Sequence, residues 1–195
     1  MRMTDDELFD AVLARVREGR PADSPHRDAL PGPAALAEVE VFERIVGCPM
    51  PPLLRRIYLE IGDGGIGPFD GISALQDEDE PMGMLNAYVE YLTEELDPEI
   101  PPPPPAGVLF FCDMGCAQWF LLDCRHPDGQ MWWWEEGDRH KLDLTFPQWL
   151  ESWLRGQTWT GRDGAEVIDS LKLSEESWVG PGVTEGLVIE VPDNP

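Results

Sequence analysis

Cys112, Cys116, Cys124 and His126 form a Cys-x3-Cys-x7-Cys-x-His series. Thiolate and imidazole ligands suit a tetrahedral zinc site. The spacing contains no paired knuckle, however, and ordinary buried strand cysteines account for the same residues. We therefore expect neither metal nor cofactor. Gly62-Asp-Gly64-Gly-Ile-Gly67 is a literal G-x-G-x-x-G match. A phosphate cradle needs those glycines after a strand and before a helix, with amides aimed at the anion. Here they follow a helical apolar pattern, Asp63 would repel an anion, and no Gly-Lys-Ser/Thr tail follows. Gly62, Gly64, Gly65 and Gly67 are read as a structural turn that caps a helix. His26, His126 and His140 stand in no catalytic motif, and no two carboxylates are marked out from solvated surface. No catalytic residue is assigned, and the chain is not expected to be an enzyme. Chemistry at surface carboxylates is the remotest alternative.

Met131-Trp-Trp-Trp-Glu-Glu136 carries a different kind of information. Strand alternation sends Trp133 to the face opposite Trp132 and Trp134, so at least one indole should lie near the surface. An accessible Trp rimmed by Glu135, Glu136 and Asp138 would have the character of a protein-binding hot spot. Burial of all three between sheet and helices remains the other reading.

The elements that position these residues follow from periodicity. Thr4-Asp-Asp-Glu7 is a capping box, followed by Leu8, Phe9, Val12, Leu13 and Val16 at helical spacing until Gly19 and Pro21. After a proline-rich loop, Pro33 is expected to open a second helix with Leu36, Val39, Phe42, Ile45 and Val46 inside and Gly47 at its end. Pro51-Pro52 starts a third, burying Leu53, Leu54, Ile57, Tyr58 and Ile61. The region 76–100 has no Lys or Arg, but Met84, Leu85, Tyr88, Val89 and Leu92 predict an amphipathic helix with an acidic outer face. Beyond the stiff Pro101 to Pro105 run, strands at 108–112, 119–123, 130–135 and 141–144 form an antiparallel meander. Thr145-Phe-Pro-Gln148 then caps a helix with Phe146, Trp149, Leu150, Trp153 and Leu154 on one stripe, closed by Gly156. Leu187 to Val191 is a possible edge strand.

The 195 residues carry 38 acidic against 14 basic side chains, a formal charge of -24. That field repels phosphate backbones, so nucleic acid is not an expected partner, whereas a basic protein would be steered in quickly. MRMTDDELFD has no apolar signal-peptide core, and no segment has the apolar length of a membrane span. A cytoplasmic protein with four reduced cysteines and no disulfides is expected.

Three stretches, taken in order, resemble the SUKH superfamily, the bacterial relatives of the yeast Smi/Knr cell-wall synthesis regulators. VEVFERIVGCPMPPLLRRIYLEIGDGGIGP, from Val39 to Pro68, is similar to its opening helices, Met-Pro-Pro turn and Gly-rich bend. VLFFCDMGCAQWFLLDCRHPDGQMWWWEE, from Val108 to Glu136, resembles its hairpin, with Asp113 and Gly115 as the structural Asp-x-Gly turn, and the following strands. TFPQWLESWLRG, from Thr145 to Gly156, resembles the closing helix. The acidic insert, the five prolines and the long tail depart from the simplest pattern.

The resemblance implies an α+β fold with N-terminal helices packed on a central, mainly antiparallel sheet and a C-terminal covering helix. Residues 1–32 would add a helix and a loop, 33–160 the SUKH-like domain, and 161–195 an acidic extension. It also implies protein binding without catalysis, often as an immunity protein against a polymorphic toxin. Nuclease toxins have basic active surfaces, which an acidic inhibitor can occupy. A free-standing scaffold or regulator of the Smi/Knr type is the alternative. The expected interface is Asp77, Glu78, Asp79 and Glu80 for steering, with Trp132, Trp134, Glu135 and Glu136 for anchoring.

Overall fold

Thr4 and Glu7 begin the chain's first helix as their types dictate. The Thr4 amide donates to Glu7 Oε2 at 2.8 Å and the Glu7 amide to Thr4 Oγ1 at 3.3 Å. The computed structural model describes residues 2–24, 30–76, 83–93, 104–135, 138–157 and 173–174. Among them are five helices: α1 (Asp5–Arg17), α2 (Leu36–Val46), α3 (Pro52–Glu60), α4 (Met84–Thr93) and α5 (Phe146–Leu154). The strands are β1 (Val108–Gly115), β2 (Gln118–Asp123), β3 (Gln130–Glu135), β4 (Asp138–Thr145) and β5 (Leu173–Ser174), paired antiparallel in the order β1-β2-β3-β4-β5. The architecture is α+β, with the N-terminal helices and α5 on the sheet. The fifth strand is Leu173–Ser174, paired with Lys141 and Leu142; the expected edge strand at Leu187 to Val191 lies outside the described residues.

Two irregularities set which side chains face the helices. In β1, Phe110 opposes Leu121 and Cys112 opposes Phe120, leaving Phe111 as an extra residue. This bulge turns both Phe111 and Cys112 toward the main core and sends Asp113, opposite Trp119, to the outer face. In β3 and β4 the register shifts between Gln130 and Trp132. There the Gln130 amide nitrogen donates to the carbonyls of Leu142 (2.5 Å) and Leu144 (2.8 Å) across the gap.

The main core gathers Leu8, Phe9 and Val12 of α1, Leu53, Leu54, Ile57 and Tyr58 of α3, and Phe146, Trp149 and Trp153 of α5. Phe111, Phe120, Leu122 and Trp133 meet them from the sheet. The α5 N-terminus is fixed by the Thr145 amide, which donates to Gln148 Oε1 at 2.7 Å.

Two helices differ from expectation. α2 starts at Leu36 rather than Pro33: Ala35 is extended and donates its amide to Glu38 Oε2 at 2.5 Å, which makes it the N-cap, and the Ala34 amide is bonded outside the helix to the Tyr58 carbonyl at 2.9 Å. Its buried stripe is Val39, Phe42 and Val46, while Leu36 and Ile45 are exposed. α3 is the principal neighbour of α2, so a single narrow stripe is covered. In α4 the buried residues are Met84, Leu85, Ala87 and Tyr88, while Val89 and Leu92, expected inside, are 42% and 45% exposed. The helix runs along β1, so its contact stripe is rotated toward the sheet edge.

The segment after α1 straps across the Gly-rich bend. The Pro21 carbonyl accepts the Gly67 amide at 3.0 Å, and the Ser24 amide donates to the Phe69 carbonyl at 2.8 Å. Asp23 Oδ1 accepts from Trp153 Nε1 at 3.1 Å and from Arg15 at 3.4 Å, and the Arg15 guanidinium lies 4.2 Å from the Trp153 ring centroid. Asp23→Ala is expected to cost about 2 kcal/mol in urea unfolding by leaving the indole N–H of a buried Trp without its acceptor. Asp23→Asn, which keeps an oxygen there, should cost less than half as much; equal losses would show that the charge, not the hydrogen bond, matters.

Candidate functional site

The residues with chemical potential do not converge. Cys116 is exposed at the tip of the β1–β2 hairpin, while Cys124 and His126 follow the opposite end of β2. Cys112 is buried on β1, and all four cysteines are free. Burial pushes the Cys112 and Cys124 thiols far above their ordinary range, so neither is a ready thiolate. His126 Nδ1 accepts the Asp128 amide at 3.1 Å in an exposed turn. Among the described residues no group of three His, Cys, Asp or Glu side chains could hold a metal ion.

The glycine bend is closed on itself. The Gly62 amide donates to Ile57, Gly64 to Gly62, Gly65 to Ile72 and Gly67 to Pro21, all to backbone carbonyls. Asp63 Oδ1 accepts the Leu75 amide at 2.9 Å, which ties the bend to the segment leading into α4. No ring of amides is left pointing at a common point where a phosphate could sit.

The two buried carboxylates among the described residues are also engaged. Asp123 holds Arg125 through both oxygens, at 2.8 Å from Nε and 2.7 Å from the terminal nitrogen. Glu151 accepts the Met3 amide at 3.1 Å and pairs with Arg155. Both oxygens of Asp123 are therefore structural, and the Glu151 contacts tie the N-terminus to α5.

An aromatic cluster on the outer face of the sheet is different in character. Val108 and Phe110 of β1, Leu121 of β2 and Trp132 of β3 form its buried floor, with Tyr91, Trp119 and Trp134 half-buried around them. Tyr91 of α4 stacks on Phe110 at 4.6 Å between centroids. Trp119 and Trp134 meet the Phe110 ring edge to face at 5.4 and 5.6 Å. Trp119 and Trp134 are direct cross-strand partners, and Leu121 opposes Trp132. Exposed Asp113 stands opposite Trp119, and the outward Val89, Glu90 and Leu92 of α4 flank Tyr91. Lys141 is the register partner of Trp132 on β4.

The tryptophan run thus divides between faces, Trp133 in the main core and Trp132 and Trp134 in the outer cluster. Trp132, expected as an anchoring indole, is only 2% exposed and forms floor, whereas Trp134 keeps an accessible edge. Glu135 ends β3 opposite Gln118; Asp77, Glu78, Asp79, Glu80 and Glu136 lie outside the described residues. Sequence reasoning missed Tyr91, Phe110 and Trp119 as members of one face. The signal for Trp119 was present in its alternation with Leu121, but its pairing with Trp134 needs the register.

A model of the SMI1 / KNR4 family (SUKH-1) matches residues 33–152. No curated protein and no solved structure matches the chain.

Proposed function

The chain belongs to the SMI1 / KNR4 family (SUKH-1), whose domains bind partner proteins, and from that premise we propose that it is an immunity protein that neutralises a basic, nuclease-type toxin. The observation that carries this reading is the half-buried ring of Tyr91, Trp119 and Trp134 over an apolar floor, in a chain of formal charge -24. Large aromatic side chains with accessible edges supply contact area at low entropic cost and dominate interface energetics. The surrounding acidity accelerates encounter with a basic partner and disfavours nucleic acid. In this reading Trp119 and Trp134 anchor. Asp77, Glu78, Asp79 and Glu80, with Glu135 and Glu136, steer.

The test is capture of the tagged chain's partner at low and then raised salt, followed by assay of that partner's nuclease activity with and without the chain. One basic polypeptide at near-stoichiometric yield, inhibited on binding, is the expected result. No partner, or several unrelated ones, would favour the Smi/Knr-type scaffold instead. With the partner in hand, Trp119→Ala or Trp134→Ala should each raise Kd by ~30-fold, about 2 kcal/mol, mainly through faster dissociation. Reversing the four charges at 77–80 should instead slow association and flatten its salt dependence. Unchanged Kd in both tryptophan variants would remove this face from the interface.

A further inference from the structure

Two of the four free cysteines border Gly107, Cys48 through its sulfur and Cys124 through its backbone amide. Cys48 directly follows Gly47, the left-handed cap of α2, and Cys124 directly follows β2. The Gly107 carbonyl accepts the Cys124 amide at 2.8 Å, and a Cβ placed on Gly107 would stand 3.4 Å from Cys48 Sγ. The Tyr88 hydroxyl accepts the Gly107 amide at 3.0 Å, and the Arg125 side chain passes the same glycine. Cys124 is buried and Cys48 half-buried, so Cys48 is the more accessible of the two. Cys112 and Cys116 belong to the other end of the hairpin.

We propose that Cys48 and Cys124 are an oxidisable pair that closes into a reversible intramolecular disulfide under a peroxide-class oxidant. The Cys48 thiolate attacks a peroxide oxygen, breaking the O–O bond; it becomes a sulfenic acid, and the leaving hydroxide takes a proton to give water. The Cys124 thiolate then attacks the sulfenic sulfur, forming the S–S bond and releasing the second oxygen as water. Two thiols lose two electrons and two protons, and one hydrogen peroxide becomes two waters. The electrostatics agree with the geometry: after burial, the influence that most raises the Cys124 thiol is Cys48. Burial also raises Cys48, with Asp123 adding to the rise and Arg125 opposing it. The pair is therefore slow to react and responds to sustained rather than fleeting oxidant.

The test uses the folded full chain carrying Cys116→Ser, which removes the exposed thiol that would otherwise link two copies. After incubation with hydrogen peroxide, denaturation, alkylation of remaining thiols and digestion, mass spectrometry should find a Cys48–Cys124 linked peptide and only Cys112 alkylated. Dithiothreitol should restore both thiols, and the melting temperature of the oxidised form should rise by about 5 °C or more, because the link closes a long loop. Cys48→Ala, a change at a half-buried site, should leave Cys124 reduced under the same treatment. The proposal is overturned if Cys48 and Cys124 both remain fully alkylated after oxidant, or if Cys48 stops at a sulfenic or higher oxide without the linked peptide.

Discussion

Trp149→Ala is expected to destabilise the protein by about 4 kcal/mol, a large part of the total stability of a domain of this size. Trp149 is wholly buried. Its ring meets Phe111 at 5.6 Å, Phe120 at 5.5 Å and Phe146 at 6.1 Å, so one side chain joins β1, β2 and the start of α5. Its far edge comes within 3.3 Å of where a Cβ on Gly67 would be, which places the glycine bend against the same indole. Truncation to alanine leaves a cavity bounded by rigid strands and a capped helix, where collapse is limited. Among the described residues the buried indole Nε1 has no hydrogen-bond partner. Trp149→Phe therefore loses area without orphaning a polar atom and should cost roughly half as much. Urea unfolding followed by far-ultraviolet circular dichroism measures both; a Trp149→Ala loss below about 1 kcal/mol would show that this indole does not hold the layers together.

Gly64→Ala should cost about 3 kcal/mol for a different reason. Gly64 has φ +82°, a conformation that costs an alanine about 1–2 kcal/mol by itself. The new Cβ would lie 2.6 Å from the Ala74 amide nitrogen and 2.8 Å from the Ile72 carbonyl oxygen, both backbone atoms that cannot rotate away. Gly32→Ala is the internal control, since its Cβ meets nothing within 4 Å and its φ is not in the left-handed region. That variant should be neutral or slightly stabilising. Thermal melts of the two variants decide the matter; equal melting temperatures would refute the packing account of the bend.

Much of the fold was legible because its signals are local. Thr4 and Glu7, or Thr145 and Gln148, satisfy amides within one turn and need no tertiary context. Leu53, Leu54, Ile57 and Tyr58 of α3, and Ile61 just after it, are all buried because that helix packs against both α1 and α2. α2 and α4 misled because a hydrophobic stripe records which residues can be buried, not how wide the neighbouring surface is. Leu36, Ile45, Val89 and Leu92 fit the period and still face outward. The start of α2 is set by Glu38 reaching back to the Ala35 amide, a box whose head is not a Ser or Thr and so leaves a weaker signal. The outer face was half visible: alternation separates Trp133 from its neighbours, but the meeting of Tyr91, Phe110 and Trp119 depends on strand register and on one bulge.

The sheet divides its apolar side chains into two clusters with no buried residue in common, one around Trp149 and Phe111 and one around Phe110 and Trp132. Selection can therefore act on the two sides separately. Drift at Tyr91, Trp119 or Trp134 changes the outward surface while the layers that secure folding stay fixed. A lineage under pressure to recognise a changing adversary could diversify one side of this sheet quickly, keeping the opposite side nearly constant.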